Sequence, residues 1–273
     1  MLFRTIMVQL DLDAPVAPRL EFARDIAGRF EADLVALVVA EARMPIPSDE
    51  SGLAAAEAYQ ESVRAIEDRL KAMKEEFLGI AGNDERASWR AETGDPTHVV
   101  ALHARAADLV VTGSPDDTAD LARTIDPGTL ILAAGRPVLF AAEGLQPLQG
   151  KRVLVAWKDT REARRAVADA MPFLTRAKEV VVAACAEGDS FKARDGGADV
   201  VRFLMKHGAT ARSEVLVGPS PDVAGALAAK AHDVGADLIV AGGYGHSRLR
   251  EWAFGGVTRS LLSDGTLHRF LSN

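Results

Sequence analysis

Two stretches of this chain read almost alike. Ala107-Asp-Leu-Val-Val-Thr-Gly113 returns as Ala236-Asp-Leu-Ile-Val-Ala-Gly242, and Arg4-Thr-Ile-Met-Val returns more loosely as Arg152-Val-Leu-Val-Ala. Around both copies, short β-branched apolar runs alternate with longer amphipathic segments. That alternation predicts parallel sheets with right-handed crossovers and helices on both faces. At 273 residues the chain has room for two such domains of ordinary size.

In the first half, strands are expected over 3–10, 32–40, 87–91, 109–112 and 137–141. Helices are expected over 17–30, 53–78 and 97–106. The long middle helix carries an apolar stripe of Val63, Ile66, Leu70, Met73 and Phe77. Residues 44–52, with two prolines, read as a loop. After a Gly/Pro/Gln linker at 144–150 the order repeats. Strands are expected over 151–157, 179–186, 210–217 and 238–241, with helices over 161–174, 199–207 and 221–234. The domains are therefore placed at 1–143 and 151–273.

Composition narrows the function. Hydrophobic residues make up 48% and charged residues 26%, which is a globular chain with an ample core. A net charge of −7 argues against nucleic acid or an anionic membrane as partner. Cys185 is the single cysteine, in an apolar strand-like run, so no internal disulfide forms and a reducing cytoplasm is expected. The opening MLFRTIMVQLD is interrupted by charge too soon for a signal peptide, and no run reaches a membrane-spanning length.

The richest segment for chemistry follows the strand at 238–241. Gly242, Gly243 and Gly245 leave the strand at once; Gly255 and Gly256 follow, then Val257, Thr258 and a helix-like run. Glycines in that order let backbone N–H groups approach an anion, and a helix N-terminus adds a favourable dipole. The alternative is that they are turn formers only. Neither G-x-x-x-x-G-K-[ST] nor G-x-G-x-x-G is present, which excludes a Walker-type phosphate loop and a dinucleotide fingerprint.

The spacing Gly242-x2-Gly245-x9-Gly255 resembles the G-x2-G-x9-G-[ST] pattern of the universal stress protein family, with Val257 and Thr258 matching its continuation and Gly256 replacing the Ser/Thr. The repeat extends the resemblance over the whole chain. It implies two tandem open parallel-sheet α/β domains, Rossmann-like and of the adenine nucleotide alpha hydrolase type, related by a pseudo-twofold axis. It also implies an adenine nucleotide, ATP with or without Mg2+, in the second domain, and leaves a homodimer open. In nucleotide-binding members an Asp follows the first strand and a residue ending the second strand meets the base. Those positions fall on Lys158, with Asp159 next to it, and on Cys185 or Ala186. Asp159 reads either as a ligand contact or as a helix N-cap. His246 and Ser247 sit within the loop, and Arg248 and Arg250 follow; each is a candidate for phosphate contact, with Arg248 or Arg250 equally readable as an exposed helix residue.

The first domain shows the converse. Asp11 stands where the family's Asp belongs, but Gly113 is followed by Ser-Pro-Asp116-Asp117 and then Asp120, with Gly128-Thr129 two residues late. Carboxylates there oppose a phosphate, so the first half reads as having lost phosphate binding. The three aspartates read as a solvated loop rather than a metal site. Trp89, Trp157 and Trp252 read as core or interface residues, and the histidines show no metal-ligand spacing. The tail from Thr266 to Asn273 is a poor version of the family's fifth strand. No Ser or Cys nucleophile pairs with a base, so the expected role is a nucleotide-binding regulator of the stress response rather than an enzyme. A nucleotide-free interaction module is the alternative.

Overall fold

The computed structural model describes residues 2–43, 52–114, 120, 122–185, 190–216, 223–244, 256–263 and 265–273. By internal packing the chain divides into two units. The N-terminal unit comprises Arg4–Thr112 and Asp116–Ala134. The C-terminal unit comprises Met1–Phe3, Gly113–Pro115 and Gly135–Asn273.

The N-terminal unit runs β1 (Thr5–Leu10), α1 (Val16–Phe30), β2 (Asp33–Ala40), α2 (Gly52–Ala81), β3 (Ala87–Thr93), α3 (Pro96–His103), β4 (Leu109–Thr112) and α4 (Pro127–Ala133). Its strands lie in the order β3-β2-β1-β4, all parallel. β1, β2 and β4 are near-continuous apolar runs because helices cover both faces of a parallel sheet. On the predicted stripe of α2, Ile66, Met73 and Phe77 are buried, and the Phe77 ring lies 5.5 Å from that of Trp89.

The C-terminal unit begins with β5 (Val138–Phe140), then β6 (Arg152–Trp157), α5 (Arg161–Asp169), α6 (Met171–Leu174), β7 (Glu179–Cys185) and α7 (Ser190–Lys206). It continues through β8 (Ala211–Leu216), α8 (Val223–Val234), β9 (Leu238–Gly242), α9 (Gly256–Ser263) and β10 (His268–Ser272). Its strand order is β5-β10-β9-β6-β7-β8, parallel except for the β5–β10 pair. The first four strands of each half thus occur in one order, third-second-first-fourth, and the two-domain α/β architecture read from the repeat stands. Among the described residues, no helix is long and apolar enough to cross a membrane.

The repeat has a specific physical cause. In each copy its aspartate sits just before the fourth strand and receives backbone N–H groups leading into the first. Asp108 accepts from Arg4 and Thr5 at 2.7 and 3.0 Å. Asp237 accepts from Gln149 and Gly150 at 2.5 and 3.0 Å. One carboxylate thereby satisfies two amides that lie beyond the sheet ladder, and the hydrophobic strand after it is held in register.

Several elements differ from the sequence expectation. α4 is not among the elements expected from the sequence, yet Asp126 caps it by accepting from the Thr129 N–H at 2.7 Å, and Pro127 opens its first turn. The helix at 161–174 breaks at Ala170, because Pro172 lacks the N–H that would continue the ladder. α7 starts at Ser190, nine residues earlier than its periodicity indicates, since Gly196 and Gly197 weaken the pattern without ending the helix. The packing division falls after Ala134, so β5 goes with the C-terminal unit, whereas the repeat groups it with the first domain.

The tail forms a full strand where the resemblance places a fifth one. β10 is buried at every residue, pairing with β9 on one side and β5 on the other. His268 accepts from the Ala142 N–H at 3.0 Å through Nδ1, and its Nε2 lies 2.9 Å from the Gln146 carbonyl. Arg269, 1% exposed, donates to the Leu262 carbonyl at the end of α9, to Ser114 Oγ at 2.7 Å and to the Ala141 carbonyl. A charged residue that looks out of place in a strand is thus a cation on helix-terminal carbonyls, a favourable position for it.

Replacing Asp237 with Ala removes a charged acceptor shared by two amides, and the expected cost is about 1.5–3 kcal/mol. Hydrogen exchange should show it as lost protection in β6 and β9. Unchanged protection there would mean the carboxylate is not what holds the strand entry.

Candidate functional site

In a doubly wound sheet, the crevice opens at the carboxyl ends of the strands where strand order reverses. That point lies between β1 and β4 in the N-terminal unit and between β6 and β9 in the C-terminal unit. The two are filled very differently.

Between β1 and β4 the crevice is closed by a polar cluster. Asp11, just past β1, meets Arg19 of α1 at 2.7 Å through Oδ2. Its Oδ1 accepts from Thr124 Oγ1 at 2.6 Å and from Gln9 Nε2 at 2.8 Å. Gln9, buried on β1, accepts in turn from Thr112 Oγ1 of β4 at 2.7 Å. Burial pushes the Asp11 carboxyl up, but the Arg19 charge and the hydrogen bonds from Thr124, Gln9 and Arg19 outweigh it and hold the group below the ordinary 3.8. Arg69 of α2 fastens the adjoining loop, donating to the carbonyls of Leu12 and Ala14 at 3.0 and 3.1 Å. The Asp11 carboxylate is therefore committed to its own chain.

Gly128 and Thr129, read as a displaced phosphate pair, lie in the first turn of α4, whose N-terminus the Asp126 carboxylate already occupies. Of the acidic loop, Asp116 and Asp117 lie outside the described residues, and Asp120 pairs with Arg43 at 3.2 Å. Among the described residues, no three His, Cys, Asp or Glu side chains are placed to share a metal ion.

In the C-terminal unit, β9 ends at Gly242 and α9 begins at Gly256, so a strand leads through the glycine segment into a helix. A Cβ on Gly242 would stand 2.6 Å from the Ala163 nitrogen and 2.7 Å from the Glu162 carbonyl carbon. The first turn of α5 thus packs directly on the bare end of β9, and this glycine is required by helix packing. Glu162 is buried there. Burial raises its carboxyl, yet bonds from Arg161, its own N–H and Thr160 leave it below the usual glutamate value.

The next two residues are engaged internally. The Gly243 N–H donates to the Ser272 carbonyl at 2.8 Å. The Tyr244 N–H, on a residue at φ 52°, faces Thr258 Oγ1 at 3.4 Å. The Gly243 carbonyl accepts from Asn273 Nδ2 at 2.7 Å. Among the described residues, by contrast, nothing lies within 4 Å of a Cβ added to Gly256, and both Gly256 and Val257 are exposed while Thr258 is buried. Gly245, His246 and Gly255 lie outside the described residues, as do Ser247, Arg248, Arg250, Trp252 and Ala186.

At the end of β6, the N-cap of α5 is Thr160, whose hydroxyl accepts from the Ala163 N–H at 3.2 Å. Asp159 is therefore not the cap. It is exposed and paired with Arg164 at 2.6 Å. Cys185 is the last residue of β7, at the carboxyl edge where a base would lie, and Trp157 at the end of β6 is buried. Ser272, Asn273, Arg19 and Thr124 carry no motif in the sequence. Only Asp126-Pro127, a cap followed by Pro at the first helical position, is a readable signal there.

The comparisons with known proteins place this geometry. Residues 2–124 match the model of the universal stress protein family. The N-terminal half carries a universal stress protein domain. The matched segment is the N-terminal half, while the glycine spacing lies in the C-terminal half. A universal stress protein from Archaeoglobus fulgidus DSM 4304 is similar over 98% of this chain and 96% of its own, with TM-score 0.66 and 17% identity. A putative universal stress protein from Pseudomonas aeruginosa UCBPP-PA14 is similar over 99% and 93%, with TM-score 0.61 and 19% identity. A functionally unknown protein from P. aeruginosa PAO1 is similar over 99% and 92%, with TM-score 0.59 and 19% identity. At these identities the likeness shows the fold alone. A search of curated protein sequences finds no match.

Two outcomes follow for this chain. Asp11→Asn should destabilise the N-terminal unit by about 1–3 kcal/mol at neutral pH. Because the folded carboxyl titrates below its unfolded value, its contribution is present above 3.8 and is lost as pH falls through the folded value. Acid unfolding of the variant should therefore flatten in that window, and an unchanged acid limb would refute the assignment. Gly242→Ala forces a methyl group against backbone and should cost about 1–3 kcal/mol, read as a lowered unfolding temperature with or without ATP.

Proposed function

We propose that the whole chain acts as a universal stress protein, a stress-response regulator whose C-terminal domain binds an adenine nucleotide, ATP with Mg2+ carried on its phosphates. The observation that supports this reading is the strand–glycine–helix order at the carboxyl edge of β9, which brings the chain to the N-terminus of α9. The first N–H groups of a helix have no partner within it, and among the described residues nothing lies within 4 Å of a Cβ added to Gly256. The phosphates would be held by the amides of Gly256 and Val257 together with Gly245, His246 and Gly255. The amides of Gly243 and Tyr244 are otherwise engaged, so those residues shape the loop without touching the anion. Thr258 likewise supports the loop through Tyr244. The base would lie against the ends of β6 and β7, near Cys185 and Ala186, with Asp159 reaching the ribose once released from Arg164. The role proposed is binding rather than turnover.

A second reading has its own support. With Gly243 and Tyr244 satisfied by Ser272 and Thr258, and Lys158 where the family's Asp belongs, the domain is able to close without a nucleotide. It would then act as an interaction module in the stress response, through self-association or another protein.

Mass spectrometry of the purified protein for co-purifying nucleotide, followed by ATP calorimetry, separates the two. The nucleotide reading expects saturable binding that weakens at least tenfold, about 1.4 kcal/mol, in Gly245→Glu and Gly256→Glu. Absence of binding in the unaltered protein leaves the interaction module.

A further inference from the structure

The N-terminal unit has a second cavity, at the opposite end of its sheet from the Asp11 crevice. It measures about 380 Å3 and lies over the amino-terminal ends of β1, β2 and β3, against the end of α3. Its chemistry is set by Asp33 at the start of β2, by Glu85, Arg86, Ser88 and Arg90 on and before β3, and by His103 of α3.

The repeat supplies an internal reference for this place. β3 pairs with β2 as β8 pairs with β7: Ala87 faces Leu34 and Ala211 faces Val180, each the second residue of its strand. Asp33 therefore corresponds to Glu179, Ser88 to Arg212 and Arg90 to Glu214. In the C-terminal unit these positions form a closed ion network. Arg212 bonds Glu179 at 2.6 Å and also Glu214, Lys230 bonds Glu214, and Arg152 lies 3.7 Å from Glu179. Hydrogen bonds and charge from Glu214 and Glu179 push the Arg212 guanidinium above its usual value, and those from Lys230 and Arg212 hold Glu214 below its own.

In the N-terminal unit the central guanidinium is replaced by Ser88. The two flanking charges survive with opposite signs, a carboxylate at Asp33 and a guanidinium at Arg90, and they do not meet. Among the described residues, neither Asp33 nor Glu85 has a side-chain ion pair. Arg90 has one polar partner there, His103 Nδ1 at 3.1 Å. An arginine only donates, so Nδ1 must accept. The imidazole proton then sits on Nε2, which bonds Glu92 at 2.6 Å. His103 thus orients Arg90 without neutralising it.

We infer that this cavity binds a small zwitterion with separated charges, its carboxylate on Arg90, its ammonium on Asp33 and its body over Ser88. Four residues of strand separate the two ends, about 13 Å between α-carbons. Side chains reaching inward from both ends leave the span of a dipeptide or an ω-amino acid, not that of two charges on neighbouring carbons. The ligand takes the place that the Arg212 side chain fills in the other unit. This site is independent of the nucleotide reading, since it lies in the other unit and at the other end of the strands.

The test is calorimetric titration of the full chain with dialanine and with 6-aminohexanoate, using acetate and butylamine as single-charge controls. Saturable binding of at least one zwitterion is expected, at least tenfold tighter than either control. Arg90→Gln and Asp33→Asn should each weaken it at least tenfold. Ser88→Arg, which installs the other unit's residue, should abolish it while preserving the unfolding temperature. Failure of both zwitterions to bind overturns the proposal. So does binding that survives Ser88→Arg, or acetate binding as tightly as the zwitterions. Should one variant not fold, the remaining two and the control ligands decide the question.

Discussion

A parallel sheet with crossover helices creates an opening at the point where its strand order reverses, and the polar groups around that opening must be satisfied by something. This requirement organises both halves of the chain. In the N-terminal unit the answer is internal: a carboxylate, a guanidinium, an amide and two hydroxyls from β1, α1, β4 and the segment before α4 close on one another. In the low dielectric of such a crevice a half-satisfied cluster would cost more than an apolar one, so its completeness is what makes it tolerable. A nucleotide there would have to break the ion pair and two hydrogen bonds of Asp11 before making any contact of its own.

The C-terminal unit answers the same requirement only in part. Its strand end is sealed by α5 lying on Gly242, and the next residues are tied to β10 and α9. α9 begins at a glycine whose added Cβ would meet none of the described residues. Glycines therefore sit in two distinct settings in one segment. Gly242 admits a helix, while Gly256 starts one. The sequence pattern makes no such distinction, because a missing Cβ looks the same in either role.

This is also where legibility ended. The doubled α/β order, the buried strands and the stripe of α2 follow from periodicity, which reports burial directly. The elements least legible are those whose formation depends on a partner distant in sequence. β10 is a strand because β5 and β9 flank it, and Arg269 is tolerated because the carbonyls ending α9 receive it. Thr160 rather than Asp159 caps α5, a choice between adjacent capping residues that only backbone direction decides. The Asp11 cluster was half visible: the aspartate stood out, but Thr124 and Arg19 carry no signature until the chain brings them to it.

The two polar ends of the repeated fold show reciprocal closure. At the carboxyl end the N-terminal unit is closed by side chains, and in the C-terminal unit α9 begins at a bare glycine. At the amino end the positions are exchanged: the C-terminal unit is closed by the Arg212 network, and the N-terminal unit retains a cavity where Ser88 replaces that arginine. The family match over residues 2–124 alongside glycine spacing confined to the other half fits the same division. A duplicated fold relieves each copy of the need to keep both ends competent. Replacing one bridging side chain by a small one opens an end, and supplying one well-placed ion pair closes it. Neither change disturbs the apolar strands that hold the sheet, so differences of this kind accumulate at the strand ends while the core pattern stays recognisable in both halves.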